Sequence, residues 1–440
     1  MEPHVHAGDG LDPRLGELLR RITVSTVGWD ALLDMQLPTD MSLNAAWKFV
    51  HGVNDSVGMH VPVPSASFSV FYRYSVELVE SIVRLYQVAA ETASLMPASE
   101  YRFHPRNVNR AIEDAAHAAR LDGYPADAAR LLAAYEGREQ PESVGERLAL
   151  NMLRAEDRLA WVSDVELSLE TVRRCVDLVC EGVDEAELGV KGPLQITPLV
   201  PRDVARGIPP NRVEHERMFF DYIDGASGEP QDFAFTRTLV TPDYLRAFMP
   251  GVRTPTLSGR LIAHLVANKV GMPTLGMLAL SSRRLRWELG ELPDSETIYT
   301  ADQVRENQRH EVDLRQFDTT MLHTMLVRIA LAEASDLLAF VKGLGQRNRS
   351  VKEALYASSL FNQRQRGILM RAAKGADRTF TIRYHQGNHD ISYSTARRDF
   401  QELADRGFLE IVMDGKTQVF RASPSIDARL SEAFGIASLE

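Results

Sequence analysis

Residues 392–422 read SYSTARRDFQELADRGFLEIVMDGKTQVFRA. The first half repeats apolar residues at helical spacing, with Ala396, Phe400, Leu403 and Ala404 on one stripe. Ser392 or Ser394 supplies an N-cap, and Gly407 stops the helix. The second half alternates around Asp414-Gly415, a strong signal for a tight hairpin. Upstream, FNQRQRGILMRAA (361–373) reads as a short helix and TFTIRYHQ (379–386) as a short helix or turn.

Helix, short helix, longer helix and β-hairpin is the order of a winged helix-turn-helix, expected over residues 355–425. The apolar stripe would pack on the first helix through Ile368 and Leu369, leaving Ser394, Thr395, Arg397, Arg398 and Gln401 on free faces. Arg and Gln on the first turns of such a helix can reach bases or phosphates in a major groove. Lys416 and Arg421 in the hairpin suit phosphate contact. The expected partner is DNA, read by a homodimer, because one such module covers only a short half-site. The same module can instead serve protein contact or dimerisation.

The rest of the chain bounds that reading. At 440 residues there is room for two or three cores. The net charge of −10 excludes a general polycation, so DNA contact must come from a local basic surface. Cys175 and Cys180 have neither chelate nor redox spacing and read as buried thiols. The N-terminus MEPHVHAGDG lacks the pattern of a secretory signal, and LIAHLVANKVGMPTLGMLAL (261–280) is interrupted by His264, Asn268, Lys269 and Pro273. A cytoplasmic protein is expected, with no metal site and no membrane partner.

Apolar periodicity predicts helices over 70–95, 107–135 with a break at 123–125, 143–162, 164–181, 211–224, 241–248, 257–270 and 319–343. Residues 189–210 are rich in Pro and Gly and predict a loop. SSRRLRWEL (281–289) predicts a solvated basic helix face with Trp287 buried. Residues 1–100 predict helices that pack on the central region or mediate dimerisation.

Residues 248–261, FMPGVRTPTLSGRL, stand at the mouth of one of these helices. Thr256 or Ser258 can cap it, Gly259 follows, and Arg253 and Arg260 add positive charge. That combination predicts an anion seat, suited to a nucleotide or another phosphate. No His, Asp, Glu or glycine-rich turn is present, so no catalytic residue is assigned and no cofactor is required.

Four segments resemble the Fic family in order. NRAIEDA (109–115) is similar to the family's inhibitory motif, and ERLALNMLRAEDRLAW (146–161) to the helix that follows it. IPPNRVEHERMFFDYI (208–223) is similar to the turn and helix before the family's active site. The fourth segment, 248–261, lies on the pattern His-Pro-Phe-x-Asp/Glu-Gly-Asn-Gly-Arg-x-x-Arg. Met249 stands in the place of the catalytic His beside a kept Pro250, and Gly251 in the place of Phe. Arg253 replaces the acid, Thr254, Pro255, Thr256 and Leu257 replace Gly-Asn-Gly-Arg, and Arg260 keeps the last Arg.

The resemblance implies a mainly α-helical chain: a helical N-terminal region (1–100), a Fic-like helical domain (101–345) and the small α+β winged helix. It also implies that Glu113, in the inhibitory position, pairs with Arg260. The family's AMPylation is not expected. A thioether cannot accept the proton of an attacking hydroxyl. Pro255 offers no N–H, and β-branched Thr254 and Thr256 resist the positive φ of a phosphate-cradling turn. The expected function is a DNA-binding regulator whose degenerate central domain is a scaffold or an anion sensor. The alternatives are a Fic-fold enzyme with changed chemistry, transferring a nucleotidyl, phosphoryl or other group, or an inert partner of another protein.

Overall fold

The computed structural model describes residues 12–96, 105–158, 168–189, 196–208, 212–224, 234–249, 251–373, 379–414 and 417–435. The chain is mainly helical, with two small sheets among the described residues. It divides into two compact units, Met1–Glu91 with Val108–Ser335, and Thr92–Asn107 with Asp336–Glu440. No helix among the described residues is long and apolar enough to cross a membrane.

The first unit begins with α1 (Pro13–Val24), α2 (Trp29–Leu33) and α3 (Leu43–Val57), then β1 (Met59–Val61), β2 (Ser69–Tyr72) and α4 (Val76–Leu95). The helix predicted from residue 70 therefore starts as a strand. Val70, Phe71 and Tyr72 are buried, and β2 pairs antiparallel with β1 and parallel with β3 (Gln316–Asp318). The N-terminal region packs within this unit. Trp29 stacks on His310 at 3.8 Å between ring centres, Trp47 Nε1 donates to the His310 carbonyl at 3.2 Å, and His51 Nε2 meets Glu311 Oε1 at 3.0 Å.

Next come α5 (Pro105–Leu121), α6 (Ala128–Tyr135), α7 (Val144–Arg158), α8 (Leu169–Cys180), α9 (Arg202–Arg206), α10 (Arg212–Asp224), α11 (Ala234–Thr238), α12 (Thr241–Phe248) and α13 (Pro255–Lys269). The break between α5 and α6 falls where expected, at Gly123 with φ of 90°. The predicted loop 189–210 contains a single turn of helix, α9, that starts after Pro201. The run closes with α14 (Pro273–Gly276), α15 (Leu280–Glu288), α16 (Ala301–Glu311) and α17 (Thr320–Ala357), whose residues from Asp336 onward belong to the second unit. Helix α17 runs past its predicted end at 343, and its residues 344–357 contain no Pro or Gly except Gly345 to stop it.

The second unit holds α18 (Gln363–Ala373), β4 (Thr379–Phe380), α19 (Ile382–His389), α20 (Tyr393–Asp405), β5 (Leu409–Asp414), β6 (Thr417–Ala422) and α21 (Ile426–Phe434). Ser392 caps α20 through the Thr395 amide at 3.2 Å. Gly407 adopts φ of 73°, the left-handed turn that stops the helix. The sheet order is β4-β6-β5, all antiparallel, with Asp414 paired to Thr417. Ala396, Phe400 and Leu403 pack with Ile368 and Leu369 in one core, as the stripe predicts.

Candidate functional site

The loop 248–261 links α12 to α13. Thr254 takes the N-cap position of α13, but its hydroxyl meets Ser258 Oγ at 3.1 Å rather than a backbone amide. The backbone amides of the first turn are satisfied by Asp122, just past the end of α5. Thr256 N–H donates to its two carboxylate oxygens at 2.8 and 3.0 Å, and Leu257 N–H to one at 3.1 Å. The Asp122 side chain is fully buried and carries a second link, to Arg246 Nη2 at 3.4 Å. Burial pushes its carboxyl upward against the pull of Arg246 and the two amides.

This corrects the expected anion seat. Its backbone donors exist, but the anion in it belongs to the chain. Thr256 and Ser258 do not cap the helix. Thr256 Oγ1 accepts from Arg246 at 3.0 Å, and Ser258 is buried beneath Thr254. Gly259 is a packing residue, because a Cβ there would stand 2.9 Å from Pro242 Cγ. Arg253 is exposed beside the Tyr124 phenol. Pro250 lies outside the described residues.

Arg260 is held by two acids, Asp114 and Glu156, and Glu156 also meets His264 Nε2 at 3.0 Å. The predicted partner, Glu113, is exposed, while the next residue, Asp114, faces inward. One residue turns a helix by about 100°, which separates the two. Asp114 also accepts the Ser282 amide at 2.9 Å in the first turn of α15. Burial raises Glu156, but the charges of Arg260 and His264 overcome this and bring it down to about 2. Arg260 is correspondingly raised.

A second chain of charge lies beside it. Asp243 joins Arg246 at 3.1 Å and Arg284 at 3.4 Å, and Glu288 joins Arg284 at 2.7 Å and Arg305 at 2.8 Å. The basic face predicted as solvated is thus partly internal: Arg284 is buried, and Arg283 is clamped between Glu296 and Glu333. Trp287 is buried as expected. Every cation of this centre has a carboxylate, and Met249 contributes no base to it.

The loop also faces a cavity of about 1080 Å³, lined by Met249, Gly251 and Val252, by Asp122, and by residues of α8, α9, α10 and α12. His215 on α10 lines it, and the sequence reading missed this residue. Its Nδ1 lies 2.7 Å from the Phe248 carbonyl, so Nδ1 donates there and Nε2 is the nitrogen left for other partners. Nε2 has no partner among the described residues. The available signal was a His in RVEHERMFF, one helical turn before Phe219 on the buried stripe.

In the second unit, Arg397 and Arg398 are exposed on α20, as are Ser394 and Tyr393. Arg397 makes no hydrogen bond or ion pair among the described residues. Arg398 pairs with Glu402 at 3.0 Å and Gln401 with Asp405 at 2.9 Å, both on the surface. Thr395 Oγ1 lies 2.9 Å from Ser392 Oγ. Arg421 is exposed on β6, and Lys416 lies outside the described residues. Asp399, on the inner face of α20, accepts from Arg364, Asn362 and His385 at 2.7–3.1 Å and so ties α20 to α18 and α19.

No family model matches the chain, and no curated protein does. Among solved structures the chain is similar in fold to a Fic family protein from Desulfovibrio desulfuricans G20, with 12% identity, a TM-score of 0.41, and coverage of 80% of this chain and 98% of that one.

Proposed function

We propose that the protein is a DNA-binding regulator whose central unit is a Fic-like scaffold without the family's catalysis. The observation that carries this reading is the outer face of α20. It presents an unpaired Arg397 with Ser394, Thr395 and Arg398 on its first turns, above a core that fixes the helix. The order α18, β4, α19, α20 and the hairpin β5–β6 is that of a winged helix-turn-helix. Arg421 and Lys416 would add phosphate contacts, and a homodimer would place two such helices on a pseudo-palindromic site. The self-filled seat at α13 supports a scaffold or a sensor over an AMPylator. The test is selection of genomic DNA fragments by the full chain and by the Arg397→Ala, Arg398→Ala double variant. Enrichment of one site by the wild type alone supports the reading. Equal enrichment, or none, removes it.

A second reading, a group-transfer enzyme with changed chemistry, is favoured by one observation. His215 holds a free imidazole nitrogen in the cavity beside Met249, where it could act as a base. Transfer of label from a nucleoside triphosphate to any cellular protein, lost in His215→Ala, would establish it.

A further inference from the structure

The cavity beside the 248–252 loop has three features that together describe a ligand. The first is an apolar wall. Leu169 and Val176 of α8 line it half-buried, together with Ile208, Met249 and Val252. A volume of about 1080 Å³ is at the upper end of small-molecule sites. Such a wall favours an apolar body, because contact with it removes apolar surface from water.

The second feature is charge at the exposed margin. Arg202 and Arg206 of α9 line the cavity and are exposed. Arg202 makes no ion pair among the described residues, and Arg206 has only Asp203 at 3.6 Å, where both side chains are largely in water. An exposed pair of that kind contributes little. The other arginines of the lining are already engaged, Arg173 with Glu216 and Arg246 with Asp122 and Asp243. Of the lining acids, Asp177 alone makes no ion pair among the described residues, so the unengaged charges of the lining are Arg202, Asp177 and the weakly held Arg206.

The third is His215, 6% exposed, whose Nδ1 proton is directed at the Phe248 carbonyl. Its Nε2 makes no hydrogen bond among the described residues, and His215 shares the wall with Asp122, Glu216 and Arg246. A ligand hydroxyl or amide N–H would satisfy Nε2.

We infer that this cavity binds an amphipathic organic anion: a carboxylate head at Arg202 and Arg206, an apolar body along Leu169, Val176 and Val252, and a hydroxyl or amide donor for His215. The inference deepens the sensor reading of the central unit, and its test needs no DNA, so either can fail alone. Asp122 and Arg246 line the cavity too, so the site adjoins the helix terminus that Asp122 fills, while Arg260 is not part of its lining.

The experiment is calorimetric titration of the full chain with decanoate, 3-hydroxydecanoate and decanol. Both acids should saturate one site below about 1 mM. The hydroxy acid should bind at least about five-fold more tightly than decanoate, and decanol more weakly than either. Arg202→Ala with Arg206→Ala, both on the surface, should reduce the acids to the level of decanol. His215→Phe should erase the preference for the hydroxy acid. Val176→Trp, at a half-buried lining position, should weaken all three. Absence of saturable binding overturns the proposal. So does binding that Val176→Trp and the double arginine variant leave unchanged, since the ligand would then sit elsewhere. A wild type without preference for the hydroxy acid removes the role given to His215.

Discussion

Replacing Asp122 tests the central finding at α13. Asp122→Ala leaves the Thr256 and Leu257 amides without an acceptor at the buried helix terminus and takes one of two carboxylates from Arg246. Loss of an N-cap acceptor costs about 0.5–2 kcal/mol, and removal of one partner of a buried ion pair about 3–5 kcal/mol. Arg246 retains Asp243, so the lower part of that range applies, about 3 kcal/mol in all. For a unit of this size that is a fall in Tm of roughly 6–12 °C. Asp122→Asn keeps a carbonyl oxygen for the amides and should cost only about 1 kcal/mol. Calorimetric unfolding of the wild type and the two variants measures both. Addition of phosphate should then raise the Tm of Asp122→Ala and leave that of the wild type unmoved, because only the variant has an open seat. Equal Tm values for the wild type and Asp122→Ala, or an Asn variant as unstable as Ala, would refute the capping argument.

Four further outcomes follow from the geometry. Arg397→Ala alone should weaken DNA binding by about 1–3 kcal/mol and more than Arg398→Ala, whose side chain already pairs with Glu402; fluorescence anisotropy at two salt concentrations ranks them. Gly259→Ala should cost about 1–2 kcal/mol, since the new Cβ meets the rigid Pro242 ring, and chemical denaturation reads the loss. Asp399→Ala should destabilise the second unit by about 3 kcal/mol by orphaning Arg364 and His385, with early loss of near-ultraviolet dichroism as the signal. Burial raises Glu311 to about 7, and His51 opposite is raised by Glu311 in spite of its own burial. The native state therefore holds the proton more tightly than the unfolded chain, and this stability, complete below about pH 4.5, is lost as pH rises through about 7. His323, lowered to about 4 by burial, works the other way, its contribution being lost as pH falls. The diagnostic is the difference: between pH 5 and 8 the wild type should lose about 2 kcal/mol relative to Glu311→Gln. A gap constant with pH would refute the assignment.

The parts of this fold legible in sequence are those set by neighbours in the chain. Ser392, Gly407 and the pairing of Asp414 with Thr417 follow from local capping and turn chemistry. Strand β2 does not, because its partner β3 lies more than two hundred residues away and the burial of Val70, Phe71 and Tyr72 suits a helix pattern equally well. Helix α16 was legible but unread: Thr300 and Gln303 form a capping box at its start. The acids of the central cluster were partly legible. Asp114 and Ala118 on the buried side of α5 and Asp122 just past its end recur at four-residue spacing, and a charge on such a face implies a partner. Which partner is a tertiary fact. Helix phase selects Asp114 over Glu113 for Arg260, and the burial of Arg283 and Arg284 is set by Asp243, Glu288, Glu296 and Glu333 from other parts of the chain and their own helix.

The α13 terminus and the cavity that adjoins it differ in what a ligand must undo. At the α13 terminus a phosphate would first have to expel Asp122 from two amides and Arg246, at about 3 kcal/mol, a hundred-fold loss in affinity before any new contact is made. Arg260 offers nothing in return, since Asp114 and Glu156 already take its donors. In the cavity, His215 Nε2 makes no hydrogen bond and Arg202 no ion pair among the described residues, so the proposed ligand breaks no contact of theirs. On this argument a sensor role for the central unit should follow variants of His215 and Arg202, while variants of Arg253 should leave ligand binding unchanged.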